Sequence, residues 1–372
     1  MKWLRGVVGL VVLLLIGAAL ASGGSGTDSV RLRYLPRANA LRTVSRFGDE
    51  RAVTVRSLGD PNAIRADPRW LAAARPLGPG APEWARRMYA RSLLVLHSLT
   101  KRRTGAALAG AREGWAYVWP RDASTVAIAI AEAGYRADAR RIVRFLRGLN
   151  LSAAARFHPD GAPVGGRAAQ GDAAGWIAAA ARAADLPTAT TKGSWRGLAD
   201  YQESGDGDFI ANAIASGAPN IQQLFETPAG TLSRRAGDPG SGIDSASAWA
   251  VRPFPHPALY PLLRPALLRL VATSGRFGIV PSEDWDGGED PWTAPTAWTA
   301  WSLAALGERG EALRLMAELR RAATPAGLLP ERVDAQTGAP TSTTPLAWPH
   351  AFAILVLRQL WPRTASASPP SR

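Results

Sequence analysis

The chain of 372 residues contains no cysteine, so it has neither a disulfide framework nor a thiolate nucleophile or metal ligand. Its four histidines (His97, His158, His256 and His350) stand far apart with no HExxH-type spacing, which argues against a zinc centre. Lysine is nearly missing as well: only Lys2, Lys101 and Lys192 occur, so the net charge of +14 rests almost wholly on arginine. A basic balance of that size raises nucleic acid as a partner. Here the arginines are spread through helical stretches such as 136–147 and 314–321, with no nucleic-acid motif beside them. They read as solvated helix faces, and no nucleic-acid partner is expected.

Long apolar runs are also scarce. The one of note is residues 6–21, preceded by Lys2 and Arg5 and followed by Ser22-Gly23-Gly24-Ser25-Gly26. This is the layout of an export signal, with Ala19-Leu20-Ala21 as the cleavage candidate. At 16 residues the run is long for a signal core and short of the roughly 20 that span a bilayer. Residues 1–26 are therefore expected to be either a signal peptide or a membrane anchor with a Ser/Gly linker. Both would export the remainder, secreted or held at the membrane by residues 6–21.

What remains is 47% hydrophobic and rich in proline, glycine and tryptophan. Residues 27–82 read as an extended arm with strand-like pieces near 30–35 and 52–55. From Pro82 the apolar spacing turns helical, with helices expected from there to about 100 and at 121–133, 136–149, 171–185, 195–202, 207–216, 257–273, 293–307, 308–322 and 346–361. Short connections such as Ala133-Gly134-Tyr135 alternate with long polar ones at 150–170, 226–244, 274–292 and 324–345. Helical hairpins whose long loops gather at one end suggest an all-α toroid with its function at one rim. A solenoid fits less well, because no fixed period recurs. The toroid is expected over 83–362, with a disordered tail at 363–372.

Two tryptophan-rich segments carry the chemistry. One runs Trp115-Ala116-Tyr117-Val118-Trp119-Pro120-Arg121-Asp122; the other begins Leu329-Pro330-Glu331-Arg332-Val333-Asp334 and ends Pro345-Leu346-Ala347-Trp348-Pro349-His350. Aromatic faces beside fixed carboxylates suit a neutral ligand with many hydroxyls, since rings cover the C–H faces of a sugar while carboxylates and arginine meet its hydroxyls. Taken alone, Asp122 is also a plain helix-start acid, and Glu331 a plain loop glutamate. A third segment, 281–292, holds Glu283, Asp284, Trp285, Asp286, Glu289, Asp290 and Trp292. It lacks the ligand order of a calcium loop and reads as sugar-binding rather than metal-binding.

These segments, in this order, resemble the glucoamylase family, family 15 of the glycoside hydrolases, over roughly residues 84–361. Tyr117-Val118-Trp119-Pro120-Arg121-Asp122 resembles its Trp-x-Arg-Asp segment. Glu283-Asp284 through Pro291-Trp292 resembles its acidic-aromatic loop, and Leu329-Pro330-Glu331 through His350 its C-terminal base motif. The resemblance implies an (α/α)6 barrel that releases glucose from non-reducing ends with inversion, using water and no cofactor or metal. Trp119, Arg121, Asp122, Glu283, Asp284, Trp292 and Trp348 would then bind an oligosaccharide or disaccharide, and Glu331 would be the general base. A trehalase is a variant of the same chemistry.

The acid is where the chain departs from the family pattern. No Trp-Glu occurs between residues 122 and 331. Asp200-Tyr201-Gln202-Glu203 resembles the family's Asp-Tyr-Trp-Glu with glutamine in place of tryptophan, and Phe225-Glu226 is a second candidate. The stretch 186–240 is short, so one barrel hairpin is expected to be trimmed. Glu203, Glu226 and no working acid at all remain open. The last alternative would make the chain a catalytically impaired glycan-binding protein of the same fold at the cell surface.

Overall fold

A computed structural model describes residues 31–35, 40–44 and 68–363, apart from 112–113, 189–193 and 204. The expected export or anchor segment, the expected strand-like piece at 52–55 and residues 364–372 of the expected tail lie outside the described residues. Within the arm, strands β1 (Arg31–Leu35) and β2 (Ala40–Val44) pair antiparallel. The short helix α1 (Pro68–Ala72) follows. It already belongs to the barrel, because Trp70 stacks on Tyr135 and His97, with ring centroids 4.0 Å away in both cases. The packed body thus begins before the expected boundary at residue 83.

Helices α2 (Glu83–Leu99), α3 (Pro120–Glu132), α4 (Arg136–Arg147), α5 (Ala173–Ala183), α6 (Ile210–Ser216), α7 (Ile221–Phe225), α8 (Tyr260–Ala272), α9 (Thr293–Ala305), α10 (Arg309–Ala322) and α11 (Ala347–Leu360) form two layers. The inner ring closes on itself: α3 packs on α5, α5 on α6, α6 on the 3-10 turn Ser245–Ala250, that turn on α9, α9 on α11, and α11 on α3. Around it, α4 covers α3 and α5, α7 covers α6, α8 the 3-10 turn, α10 covers α9, and α2 covers α11. The expected toroid is therefore what the chain forms.

Sequence decides which layer each helix joins. The inner helices are apolar nearly all round: α3 is buried from Pro120 to Ala131, and α9 from Thr293 to Leu303. Such a helix has no face for water. Outer α4 buries only Ala139, Ile142, Val143 and Leu146, spaced as one helical stripe, and turns Arg136, Arg144 and Arg147 outward. In α10, Arg314, Arg320 and Arg321 are likewise exposed. The arginine excess is thus largely on outer faces.

The barrel is trimmed where the short stretch suggested. Between α5 and α6 no outer helix stands among the described residues, and the fourth inner element is a 3-10 turn rather than an α-helix. The expected helix at 195–202 does not form. Leu198–Ala199 (β3) instead pairs with Asp206–Gly207 (β4), and a turn closes at Asp200–Glu203. The cause is local, since the Asp200 carboxylate takes the backbone N–H of Gln202 at 3.0 Å and competes with helical bonding. At Gly175 the missing side chain lets α5 and α6 lie in backbone contact. A β-carbon added at Gly175 would fall 1.8 Å from the Ala215 carbonyl oxygen.

Candidate active site

Each inner element presents its N-terminal end to one rim. Trp119 precedes α3 with Arg121 and Asp122 in its first turn, Asp172 precedes α5, Asp244 the 3-10 turn, Trp292 α9, and Leu346 α11 with Trp348 in its first turn. There lies a cavity of about 440 Å³, lined among others by Trp115, Trp119, Arg121, Asp122, Trp292, Glu331 and Trp348. Trp115 and Trp119 stack at 5.6 Å on one wall. The two tryptophan-rich segments, over 200 residues apart in sequence, form one site.

On the floor, Arg121 is only 4% exposed. One of its terminal nitrogens donates to Asp172 at 2.8 Å and to Gln170 at 2.9 Å, and its Nε lies 3.7 Å from Asp122. Its guanidinium also sits 4.7 Å from the Trp348 ring centroid. Burial opposes its charge, but Asp172 and Asp122 outweigh that and its pKa is raised. Asp122 is pushed up to about 6 by burial, against the pull of Arg121. At neutral pH it remains largely an acceptor, fit to hold sugar hydroxyls.

Glu331 is 7% exposed and is held at both backbone ends: its N–H donates to Thr343, and its carbonyl accepts from Thr293 at the start of α9. Behind it, His350 Nε2 accepts the Leu329 N–H at 2.9 Å. That nitrogen must be unprotonated, so Nδ1 carries the hydrogen and donates to Ser92 at 2.9 Å. Burial, reinforced by Arg91, lowers the His350 pKa to about 3, which keeps this neutral tautomer. The Glu331 carboxylate accepts from the Ser342 hydroxyl. Burial raises its pKa to about 7, with Asp122 adding to the rise and Ser342, Arg332 and Arg167 opposing it. A carboxylate poised there can take a proton from water near neutral pH.

Glu203 lines the same cavity; Glu226 is exposed, hydrogen-bonds Gln222 and does not line it. Glu203 has a positive φ of 58°, uncommon for a residue with a side chain. It ion-pairs with Arg167 and accepts from Gln170 at 3.4 Å. Gln202, at the position where the family pattern has tryptophan, lines the cavity beside Glu203. It is buried and donates to Asp244 and Tyr201, both at 3.0 Å. Arg234 ties this layer together, reaching Asp200 at 3.1 Å, Asp244 at 3.4 Å and Asp284 at 3.1 Å. Burial raises Asp244 to about 7 despite that partner.

Two expected sugar contacts belong elsewhere. Glu283 ion-pairs with Arg269 at 2.7 Å and accepts the Ile243 N–H, while Asp284 is held by Arg234 and Ser282. Both line a separate cavity with Thr227, Pro228 and Arg269. Their neighbours already neutralise them, and only Trp292 of that loop reaches the site. Asp290 accepts from Ala335 and Thr341, so Glu283, Asp284 and Asp290 all serve the loop's own structure. No cluster of three or more potential metal-ligating side chains occurs among the described residues.

Sequence reasoning missed Arg167, Gln170 and Asp172. A signal was present in Gln170-Gly171-Asp172, a polar pair immediately ahead of an apolar inner helix, as Arg121-Asp122 is in the first turn of α3.

Residues 83–154 match the family model described as glycosyl hydrolases family 15. No curated protein sequence matches the chain. Among solved structures, a glycosidase variant in complex with glucose is similar at 19% identity and a TM-score of 0.63, over 76% of this chain and 99% of that one. A bacterial glucoamylase complexed with acarbose is similar at 18% identity and a TM-score of 0.65, over 85% of this chain and 62% of that one. The glucoamylase from Saccharomycopsis fibuligera follows at 11% identity and a TM-score of 0.57, over 74% and 94%. Likeness at these identities is likeness of fold, and the matched segment contains the Trp119-Pro120-Arg121-Asp122 corner of the site. Residues 83–154 thus carry the sequence signature of family 15 glycosyl hydrolases, and the barrel shares the fold of solved glucoamylases.

Proposed function

We propose that the protein is an inverting, exo-acting α-glucosidase of glucoamylase type, with Glu331 as general base and Glu203 as general acid. The observation that supports this reading is the single cavity holding Glu331 and Glu203 together with Trp119, Arg121, Asp122 and Trp348. A terminal glucose would sit on the Arg121–Asp122 floor with Trp119 against its ring. Glu331 takes a proton from the attacking water, while Glu203 delivers one to the leaving oxygen. Incubating the chain from residue 27 onward with maltose, maltooligosaccharides, isomaltose and trehalose should release glucose from at least one of them. Failure with all four from about pH 4 to 8 would overturn the reading.

A second reading has one observation in its favour. The Arg167–Glu203 ion pair favours the ionised carboxylate, whereas proton donation needs the neutral acid. A glycan-binding protein of the same fold would bind maltooligosaccharides without releasing glucose.

We further propose export of this domain by residues 1–26, on the strength of the sequence pattern; N-terminal sequencing of the protein from its source would locate the cleavage site or reveal a retained anchor. Among the described residues no helix is long and apolar enough to cross a membrane.

A further inference from the structure

The arginines around the cavity outnumber what a neutral sugar requires. Arg121 is satisfied on the floor by Asp172 and Gln170. Three more stand nearby, of which Arg167 and Arg332 line the cavity and Arg156 lies against its aromatic wall. Arg167 lies 5.8 Å from the Trp119 ring centroid, and Arg156 lies 5.6 Å from the same ring and 4.9 Å from that of Tyr117. Arg332 lines the cavity beside Glu331, and its buried Nε has no hydrogen-bond partner. Arg156 donates to the Gly114 carbonyl at 3.4 Å, and its Nε is likewise buried and unbonded. No carboxylate among the described residues forms an ion pair with Arg156 or Arg332. The clustering has a cost: after burial, the like charge of Arg156 is the main influence lowering the Arg167 pKa.

Sugar hydroxyls are met as well by amides and carboxylates as by guanidinium groups. Two guanidiniums beside one aromatic wall, with a third lining the same cavity, match instead a carboxylate or phosphate, which such groups bind by paired charge-assisted hydrogen bonds. The place of the cluster says which part of the substrate carries the anion. Arg167 is bonded to Glu203, and on the proposed reading Glu203 touches the leaving oxygen.

We propose that the leaving-group side of the cavity is an anion subsite, in which Arg167, Arg156 and Arg332 hold a carboxylate or phosphate borne by the leaving group of an α-glucoside. This inference rests on Glu203 being the acid. It also resolves the conflict at Glu203. A substrate anion draws Arg167 away, so that Glu203 can carry the proton it must donate. The proton then moves from Glu203 to the glycosidic oxygen as the C1–O bond breaks. The water oxygen bonds to C1, and its proton passes to Glu331. Glu203 ends ionised and Glu331 protonated.

The test compares three α-1,4-glucosides with the full chain: maltobionate, whose leaving group bears a carboxylate; maltitol, its uncharged counterpart; and maltose phosphorylated on O6 of its reducing glucose. A preference of about tenfold or more in kcat/KM for one or both anions over maltitol is expected, the size of a charge-assisted contact. The better of the two names the anion. The preference should narrow as salt is raised from about 0.05 to 0.5 M, a comparison made on the unaltered protein. Arg332→Gln and Arg156→Gln should each bring the ratio toward unity. Equal kcat/KM for all three overturns the inference while leaving the hydrolase reading intact. If none is hydrolysed, titration calorimetry decides. Tighter binding of an anion than of maltitol supports the subsite even as the hydrolase reading falls, and equal affinity removes both.

Discussion

The two halves of the site are built differently. Arg121, Asp122, Trp348 and Glu331 stand in or against the first turns of inner helices α3, α9 and α11, with backbone bonds on both sides of Glu331 and a neutral His350 behind it. Glu203 stands on a turn, in a left-handed conformation, beside the one place where the barrel lacks an outer helix among the described residues. The first half is buried and over-determined. The second is a side chain 28% exposed, held by one arginine and a long hydrogen bond from Gln170. On the proposed reading, the fold fixes the sugar-holding and water-activating groups by helix packing while leaving the proton donor to local ion pairing. That division puts the site's adaptability on the leaving-group side.

The sharpest way to test this contrast is to remove each carboxylate. Glu331→Gln should lower kcat by about 10²–10⁴-fold on every substrate, because no other group in its position can take the water proton. Glu203→Gln should cost a similar factor on maltose and far less on α-glucosyl fluoride, whose leaving group needs no proton; steady-state kinetics on the two substrates check this. Equal losses on both would break the assignment of Glu203.

Stability should show the same asymmetry. Arg121→Ala leaves the fully buried Asp172 carboxylate without its partner and should cost roughly 3–5 kcal/mol. Arg167→Gln removes a half-exposed pair worth no more than about 1 kcal/mol. Its effect should appear in the pH–rate profile instead: with that cation gone, the neutral acid survives to higher pH and the alkaline limb moves up. Thermal unfolding beside the pH profile distinguishes the two variants.

Activity and stability should also run in opposite directions with pH. Glu331 must be ionised to act as base, so kcat/KM should rise as pH passes through about 7. Glu331, Asp244 and Asp122, at about 7, 7 and 6, all lie above their ordinary values. Across that window the folded chain binds protons that the unfolded chain has lost, so stability is greatest below the unfolded values near 4 and falls as pH rises through 6–7. The melting temperature should therefore be higher near pH 5 than near pH 8, and Glu331→Gln should flatten part of that slope. The smallest effect on turnover concerns the trimmed hairpin: Gly175→Ala should destabilise by about 1–3 kcal/mol through its clash with the Ala215 carbonyl, while leaving kcat nearly untouched.

The same contrast explains what could be read from sequence. The toroid, its inner helices and the Trp119–Asp122 and Glu331–His350 corners were legible because apolar periodicity and short motifs are local signals. The 195–202 region was not, because its apolar spacing allowed a helix that the Asp200 side chain prevents. Glu283 and Asp284 looked like sugar contacts for want of their distant partners, Arg269 and Arg234. Arg167 was invisible for the same reason, since its meaning comes from Glu203, 36 residues on and brought near only by the fold.

The most direct test is the configuration of the first glucose released. Proton NMR of maltooligosaccharide hydrolysis, recorded before mutarotation, should show β-glucose appearing first, as attack by a Glu331-activated water on the face opposite Glu203 requires. Initial α-glucose, or no glucose at any pH from about 4 to 8, would contradict the account.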